Sequence, residues 1–204
     1  MLHRIILPLM TLLLVAACER DRMGPPETVV DPSRDHFTFS NTDQFLTRHL
    51  ELDLAVDFER RVLAGFVIHH MGCLQAGADT SVLDSRGLQI DRVQLASKYG
   101  DAIDLLFEWG GADSVRGEAL RILLPAGWGC AAEFELKIDY RTGPDASAIM
   151  WLPAELTAGG EHPFMFTQSQ SIHARSWVPL QDTPAVRVTY EAVIRTPPEL
   201  LAVM

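Results

Sequence analysis

Apolar and polar residues alternate along much of the chain with a period of two. The longest alternating run places apolar side chains at Leu50, Leu52, Leu54, Val56 and Phe58. Successive side chains of a β-strand point to opposite faces, so these five share one face, whereas on a helix they would scatter around the axis. The same pattern recurs in residues 134–140 and 186–190. We therefore predict half-buried strands.

Shorter apolar runs lie between these segments, and turn-forming residues separate them. The runs span Val62–Ile68, Leu88–Val93, Ile103–Trp109 and Leu120–Leu124. The turn signals are Gly110-Gly111, Gly127-Trp128-Gly129 and Gly143-Pro144-Asp145. Many short strands joined by turns are typical of a sandwich or an open barrel. The pattern shows no amphipathic helix of useful length, so the fold class is predicted to be all-β, with a β-sandwich favoured.

The first residues resemble an export signal. The run Ile5–Ala17 is apolar, too short to span a bilayer comfortably, and it precedes Cys18 in the order Val15-Ala16-Ala17-Cys18. This order resembles a bacterial lipobox, in which the cysteine is lipidated and becomes the new amino terminus. The alternative is an ordinary signal peptide with a chance cysteine. We predict an exported bacterial lipoprotein, anchored to a membrane and facing the periplasm or the cell surface.

Three segments follow from these signals. Residues 1–17 are predicted to be the lipoprotein signal peptide, residues 18–44 a flexible tether rich in proline and polar residues, and residues 45–204 a β-sandwich domain.

The formal net charge of -10 argues against a nucleic-acid partner, because phosphates require a basic surface. Cys73 and Cys130 form either one disulfide bond or two free thiols, since spacing alone does not bring them together.

The sequence shows no catalytic or metal-binding motif. It has no helical H-E-x-x-H, no G-x-S-x-G, no P-loop and no G-x-G-x-x-G. The adjacent pair His69-His70 is a poor metal site, because neighbouring residues on a strand point to opposite faces. We expect one of these histidines to face inward and the other outward. No catalytic residue and no metal ligand is predicted in this chain.

Residues 146–184 break the alternation and are rich in aromatic residues, glycine, proline and amides. A long irregular passage inside a domain is often functional. Gln168 and Gln170 are separated by one residue, so in an extended loop both amides could face the same side. The structural alternative is that they satisfy backbone groups of their own loop.

The chain resembles the amino-terminal domain of the M1 family of zinc aminopeptidases, particularly its leukotriene A(4) hydrolase type. The resemblance begins at His49-Leu50, continues through Val82–Leu88 and extends to Met204. Its most specific segments are Trp151-Leu152, Thr157–Gly160, His162–Phe164, Gln168–Gln170, Ile172–Arg175 and Gln181–Pro184. It implies a saddle-like β domain followed by a catalytic domain that carries the zinc and a glycine-rich strand with an acid. This chain is therefore interpreted as a truncated piece without the zinc site.

The resemblance also implies a binding role for the Gln168–Gln170 segment. In the family, one side chain of this domain helps to hold the free amino terminus of the peptide substrate, and Gln170 is the better candidate of the two glutamines. Ser169 lies between them, where the hydrolase type often has Cys, and Ser171 replaces a small apolar residue. These differences affect the expected fine specificity. Arg175 and Asp182 are expected to brace the loop.

Three functional hypotheses result. The chain is the substrate-recognition domain of a zinc aminopeptidase, or a stand-alone lipid-anchored β-sandwich that binds peptides or acts as a scaffold, or an exported β-sandwich with no site. The apolar residues 200–204 favour the first hypothesis, because a natural terminus is usually solvated. Under it, the partners are a peptide amino terminus, a catalytic zinc domain and the membrane. The chain by itself is expected to be inactive and to bind no stoichiometric zinc.

Overall fold

The computed structural model describes residues 35–96, 102–125 and 133–204. Within these ranges the chain forms strands and two 3-10 helices. The strands are β1 Phe45–Asp57, β2 Val62–Cys73, β3 Thr80–Ser85, β4 Gln89–Ala96, β5 Ile103–Asp104, β6 Phe107–Trp109, β7 Glu118–Leu123, β8 Glu133–Arg141, β9 Ile149–Leu152, β10 Phe164–Thr167 and β11 Thr189–Arg195. The 3-10 helices are Ala154–Leu156 and Ala174–Ser176.

Six strands form the larger sheet, in the order β11-β1-β2-β8-β4-β5. All neighbours in it are antiparallel except β1 and β11, which run parallel. Along β1 the residues Leu50, Leu52 and Leu54 are buried, and the intervening positions are partly exposed. The alternation breaks once, where a bulge between Thr47 and His49 shifts the register with β2.

A three-stranded sheet, in the order β3-β7-β6, contributes the other side of the core. Its Leu83, Leu120 and Ile122 belong to one buried apolar cluster with Leu54 and Ile138 of the larger sheet. The remaining strands, β9 and β10, pair as a separate hairpin. The predicted all-β sandwich is therefore confirmed, and the two sheets remain open.

Most of the strands predicted from alternation are present, but three further strands of the structure were not predicted. Strands β9 and β10 have four residues each, too few to show a period of two, and β3 shows none because its residues are buried on both faces. The prediction for residues 186–190 was displaced, because β11 begins at Thr189 and Tyr190 is 54% exposed. Strand β11 lies at the edge of its sheet, so burial imposes little alternation on it.

Residues 35–44, which the sequence analysis assigned to the tether, are held against the domain by Asp84 of β3. The Asp84 carboxylate accepts hydrogen bonds from the Thr38 hydroxyl (2.5 Å), the Phe39 backbone N–H (2.7 Å) and the Ser40 hydroxyl (2.8 Å). The predicted signal peptide, Cys18 and the first part of the tether lie outside the described residues. Among the residues that the structure describes, no helix is long and apolar enough to cross a membrane.

Gly65 on β2 permits a close approach between β1 and β2. Its φ is 155°, and a Cβ atom at this position would lie 2.0 Å from the carbonyl oxygen of Asp53. Only glycine fits this contact without moving the neighbouring strand.

Cys73, at the end of the same strand, is disulfide-bonded. Cys130, its candidate partner in the sequence, lies outside the described residues.

Candidate functional site

The irregular passage predicted from composition contains the β9–β10 hairpin and a loop at residues 168–184. The loop begins at the hairpin, where the Gln168 backbone N–H donates to the carbonyl of Ala148 (2.8 Å). It then makes a tight turn, and the backbone N–H of His173 donates to the carbonyl of Ser169 (3.0 Å). Ile172, within this turn, has a φ of 58°, which is uncommon for a β-branched residue.

The three residues predicted to bind substrate have different surroundings. The side-chain oxygen of Gln168 accepts a hydrogen bond from the backbone N–H of Gln170 (2.9 Å). The Ser169 hydroxyl accepts one from the indole N–H of Trp177 (3.1 Å). The side chain of Gln170 is exposed and makes no hydrogen bond within the described part of the chain. Gln168 and Ser169 therefore make hydrogen bonds within the loop, whereas the Gln170 side chain makes none to the described residues.

Arg175 and Asp182 brace this loop from behind, as the sequence analysis expected. Arg175 is fully buried, and its Nε donates to the carboxylate of Asp182 (3.0 Å). Its other guanidinium nitrogens donate to the carbonyls of Arg116 (2.6 Å) and Asp182 (2.8 Å). A guanidinium that satisfies several acceptors at once holds the segments that carry them in a fixed arrangement.

Asp84 completes the brace, and the sequence analysis assigned it no role. Its carboxylate is fully buried, lies 3.6 Å from the Arg175 guanidinium and accepts from the backbone N–H of Asp182 (3.0 Å). The Arg86 backbone N–H also donates to the carbonyl of Arg175 (2.9 Å). The available signal was an acid directly after the apolar pair Val82-Leu83, because a buried charge requires partners.

A second anchor ties the loop to the bulge of β1. The buried side chain of Gln181 accepts from the backbone N–H of Thr47 (2.9 Å) and donates to the carbonyl of Phe45 (2.7 Å). Close by, His69 contacts the carbonyl of Pro179 through Nε2 (2.9 Å). The later part of the loop that follows Gln170 is thus fixed to the sandwich at Pro179 and Gln181.

The surface near Gln170 carries a shallow cleft with a mixed polar and apolar lining. Its volume is about 560 Å³, and Arg86, Ser171 and His173 contribute to its wall. His173 Nδ1 lies 2.8 Å from the hydroxyl of Ser147 and 3.4 Å from the guanidinium of Arg86. No carboxylate is hydrogen-bonded to this Ser–His pair among the described residues, so the arrangement is a polar network and not a catalytic triad.

An apolar groove of about 360 Å³ lies beside the β9–β10 hairpin. Phe58, Phe164, Phe166 and Trp177 help to form it. Phe164 and Phe166 are 53% and 40% exposed, which is high for aromatic side chains. Adjoining exposed aromatics of this kind are typical of surfaces that contact another protein or domain.

The two adjacent histidines point in opposite directions, as expected. His69 is fully buried, whereas the side chain of His70 is 33% exposed and lies 2.5 Å from the carboxylate of Glu51. Across the sheet, His49 also lies close to His70, with ring centroids 5.3 Å apart. The sequence analysis did not find this cluster, because its members lie on two different strands and only the strand register brings them together.

The described residues do not form a helical zinc centre of the H-E-x-x-H type. The sequence lacks H-E-x-x-H, and the described residues form no α-helix on which two such histidines could share a face.

Comparison with known proteins identifies one family. Residues 46–204 match the family model of the peptidase M1 N-terminal domain. Leukotriene A-4 hydrolase of Xenopus laevis is 36% identical over 176 residues, which cover 86% of this chain and 27% of that protein. Leucine aminopeptidase 2 of Emericella nidulans is 35% identical over 176 residues, which cover 86% of this chain and 28% of that protein.

The solved structures agree with the sequence matches. Native leukotriene A4 hydrolase from Saccharomyces cerevisiae superposes with a TM-score of 0.72 at 32% identity, over 85% of this chain and 26% of that one. The chain thus spans about a quarter of the length of the relatives that it matches.

Proposed function

This chain belongs to the peptidase M1 family, whose amino-terminal domain it contains, and we propose that it serves as the substrate-recognition domain of a zinc aminopeptidase. In this proposal Gln170 binds the free amino terminus of a peptide. The chemistry of peptide cleavage belongs to a catalytic zinc domain that works with this one.

The observation that carries the proposal is the difference between the two glutamines. Both side chains are exposed, but the side-chain oxygen of Gln168 already accepts a hydrogen bond from the backbone N–H of Gln170, whereas no described residue engages the Gln170 amide. An ammonium group requires hydrogen-bond acceptors, and an amide oxygen provides one without adding charge. Gln170 is therefore the better partner for a peptide amino terminus.

The brace behind the loop supports the same role. Arg175, Asp182 and Asp84 are buried together, and Gln181 fixes the following residues to β1. A binding group gains affinity when its backbone is held in the bound conformation before the ligand arrives. The position of Gln170 is set by this framework, so little ordering is needed on binding.

The proposed catalytic partner also has a candidate contact surface. The groove formed with Phe164 and Phe166 lies on the hairpin from which the Gln170 loop departs. A domain packed on these aromatic side chains would lie next to Gln170. Zinc, its ligands and the metal-bound water are assigned to that partner, and no catalytic residue is assigned to the present chain.

A lipid anchor at Cys18 is a further part of the proposal. It rests on the lipobox-like order Val15-Ala16-Ala17-Cys18 alone. The protein would be exported and held at a membrane, facing the periplasm or the cell surface. The same anchor is compatible with the second hypothesis, a stand-alone peptide-binding or scaffold module, and activity with a catalytic domain separates the two.

The test joins this chain to the catalytic domain of an M1 relative and measures kcat/KM on an aminoacyl substrate. We expect Gln170→Ala to lower kcat/KM by about ten- to a hundredfold, because a hydrogen bond to a charged group contributes about 1.5–3 kcal/mol. Gln168→Ala should have a smaller effect. The unfused chain is the negative control and should cleave nothing.

Stability measured on the same variants distinguishes binding from bracing. Gln170→Glu retains the acceptor and should preserve activity, whereas Ser169→Ala removes the acceptor of the Trp177 N–H and should chiefly lower Tm. If Gln170→Ala leaves kcat/KM unchanged, or lowers Tm alone, the assigned role of Gln170 is wrong.

A further inference from the structure

Three potential metal ligands meet on the outer face of the six-stranded sheet. They are His49 and Glu51 of β1 and His70 of β2, and one ligand atom from each lies within 4.8 Å of the other two. All three side chains are partly exposed, so an ion can reach them from solvent. We propose that His49, Glu51 and His70 form a binding site for a divalent transition-metal ion such as Zn²⁺.

The bulge in β1 creates this arrangement. Phe45, Leu46 and Thr47 pair with β2 in one register, and after the bulge His49 pairs with His70. Had the first register continued, His49 would stand opposite the buried His69. Glu51 follows His49 by two residues and therefore lies on the same face of the strand.

The donor atoms suit a tetrahedral ion after small side-chain rotations. His70 Nε2 and the Glu51 carboxylate oxygen are 2.5 Å apart. Ligands that lie about 2.0–2.1 Å from Zn²⁺ in tetrahedral geometry are separated by about 3.3 Å, so this pair would widen and His49 would move inward. Two imidazoles and one carboxylate select Zn²⁺, Cu²⁺ or Ni²⁺ over Mg²⁺ and Ca²⁺, which prefer oxygen ligands alone.

Each histidine also has a partner that orients its ring. His70 Nδ1 lies 3.5 Å from the carboxylate of Glu135 on β8, and His49 Nδ1 lies 2.7 Å from the hydroxyl of Thr189 on β11. Metal-binding histidines usually present one nitrogen to the ion and the other to a carboxylate or similar group. In this arrangement His70 directs Nε2 toward its co-ligand Glu51, and Thr189 engages Nδ1 of His49 and leaves its Nε2 for the ion after a small rotation.

This site is separate from the substrate site proposed above and does not depend on it. His69, the neighbour of His70 that points to the opposite face of β2, contacts Pro179 in the loop that follows Gln170. The metal site therefore lies on the face of the sheet turned away from that loop. The inference replaces the expectation, drawn from sequence, that the chain by itself binds no stoichiometric zinc.

The test is calorimetric titration of the purified, untagged protein with ZnCl₂. We expect one equivalent to bind, and His49→Gln, Glu51→Gln and His70→Gln each to weaken binding by more than about a hundredfold. Glu135→Gln should weaken it by about tenfold, in line with the effect of outer-shell partners. His162→Gln is the matched control, because it removes an exposed histidine outside the cluster and should leave the affinity unchanged.

Cobalt(II) provides a second measurement that identifies the ligand type. Bound Co²⁺ should show visible d–d absorption without a thiolate charge-transfer band, and His70→Gln should abolish it. If His70 only forms an ion pair with Glu51 and Glu135, no stoichiometric uptake will be seen. That result, or equal binding by the three ligand variants and the wild type, would overturn the proposal.

Discussion

His69 and His70 are neighbours in the sequence and have unlike chemistry in the folded protein. His69 is fully buried, with Nε2 at 2.9 Å from the carbonyl of Pro179 and Nδ1 at 3.3 Å from the hydroxyl of Thr47. Burial lowers the pKa of His69 from 6.5 to about 4, against the hydrogen bond to Pro179, which raises it. The ring is therefore neutral at pH 7 and acts as a structural link between β2 and the loop.

His69 should make the stability of the domain fall in acid. Its pKa is lower in the folded state than in the unfolded chain, so its contribution is complete above about pH 6.5 and is lost as the pH falls toward 4. The lowered pKa corresponds to roughly 3 kcal/mol. We expect wild type to lose about that much more stability than His69→Gln between pH 7 and pH 4, measured by urea unfolding. Parallel curves for the two proteins would exclude this role.

At the scale of elements, β1 connects the parts of the domain. Its inner face supplies core residues, its bulge is bound by Gln181, and its outer face carries His49 and Glu51. A one-residue change of register would exchange the inner and outer faces of the strand. The fold, the anchoring of the Gln170 loop and the proposed metal site thus depend on the same register.

Leu54→Asp tests the face assignment of β1. Leu54 is fully buried in the core, so the substitution places an unpaired carboxylate among apolar side chains. We expect a loss of about 3–5 kcal/mol in the free energy of unfolding, or failure to fold. Ala55→Asp is the matched control, because Ala55 is exposed on the opposite face, and it should change stability by less than about 1 kcal/mol. Equal losses in both variants would contradict the assignment.

At the scale of the whole molecule, residues 35–204 form one compact unit. The brace of Asp84, Arg175 and Asp182 joins three separate parts of this unit: residues 38–40, β3 and the loop that carries Gln170. A buried arginine between two carboxylates is stabilising only when every partner is present, so loss of one side chain should affect all three parts.

The lipid anchor is a prediction for the entire protein. Cys18 follows small residues in the order that a lipobox requires, and an acyl chain gains about 0.8 kcal/mol per buried methylene. Cells that produce the chain should incorporate a labelled fatty acid into wild type and not into Cys18→Ser. Membrane fractionation should follow the label. Equal labelling of the two proteins would disprove the prediction.

The sequence by itself determined the fold class, because burial on one face of a strand leaves a period of two that no helix produces. That signal identified most strands of the larger sheet, and the residues of the Gln168–Gln170 segment carried the resemblance to the M1 family. It failed for β9 and β10, which are too short to show a period, and for β3, which is buried on both faces.

Tertiary structure decided how most of the polar residues act together. Gln168 and Gln170 are both exposed, and only the folded turn shows that the Gln168 oxygen accepts a hydrogen bond from the Gln170 backbone. Asp84 and Arg175 are 91 residues apart in the sequence and meet only through the packing of β3 against the loop. His49 stands beside His70 because of one extra residue in β1. Pairing between strands depends on register and not on proximity along the chain, and a single sequence does not contain the register.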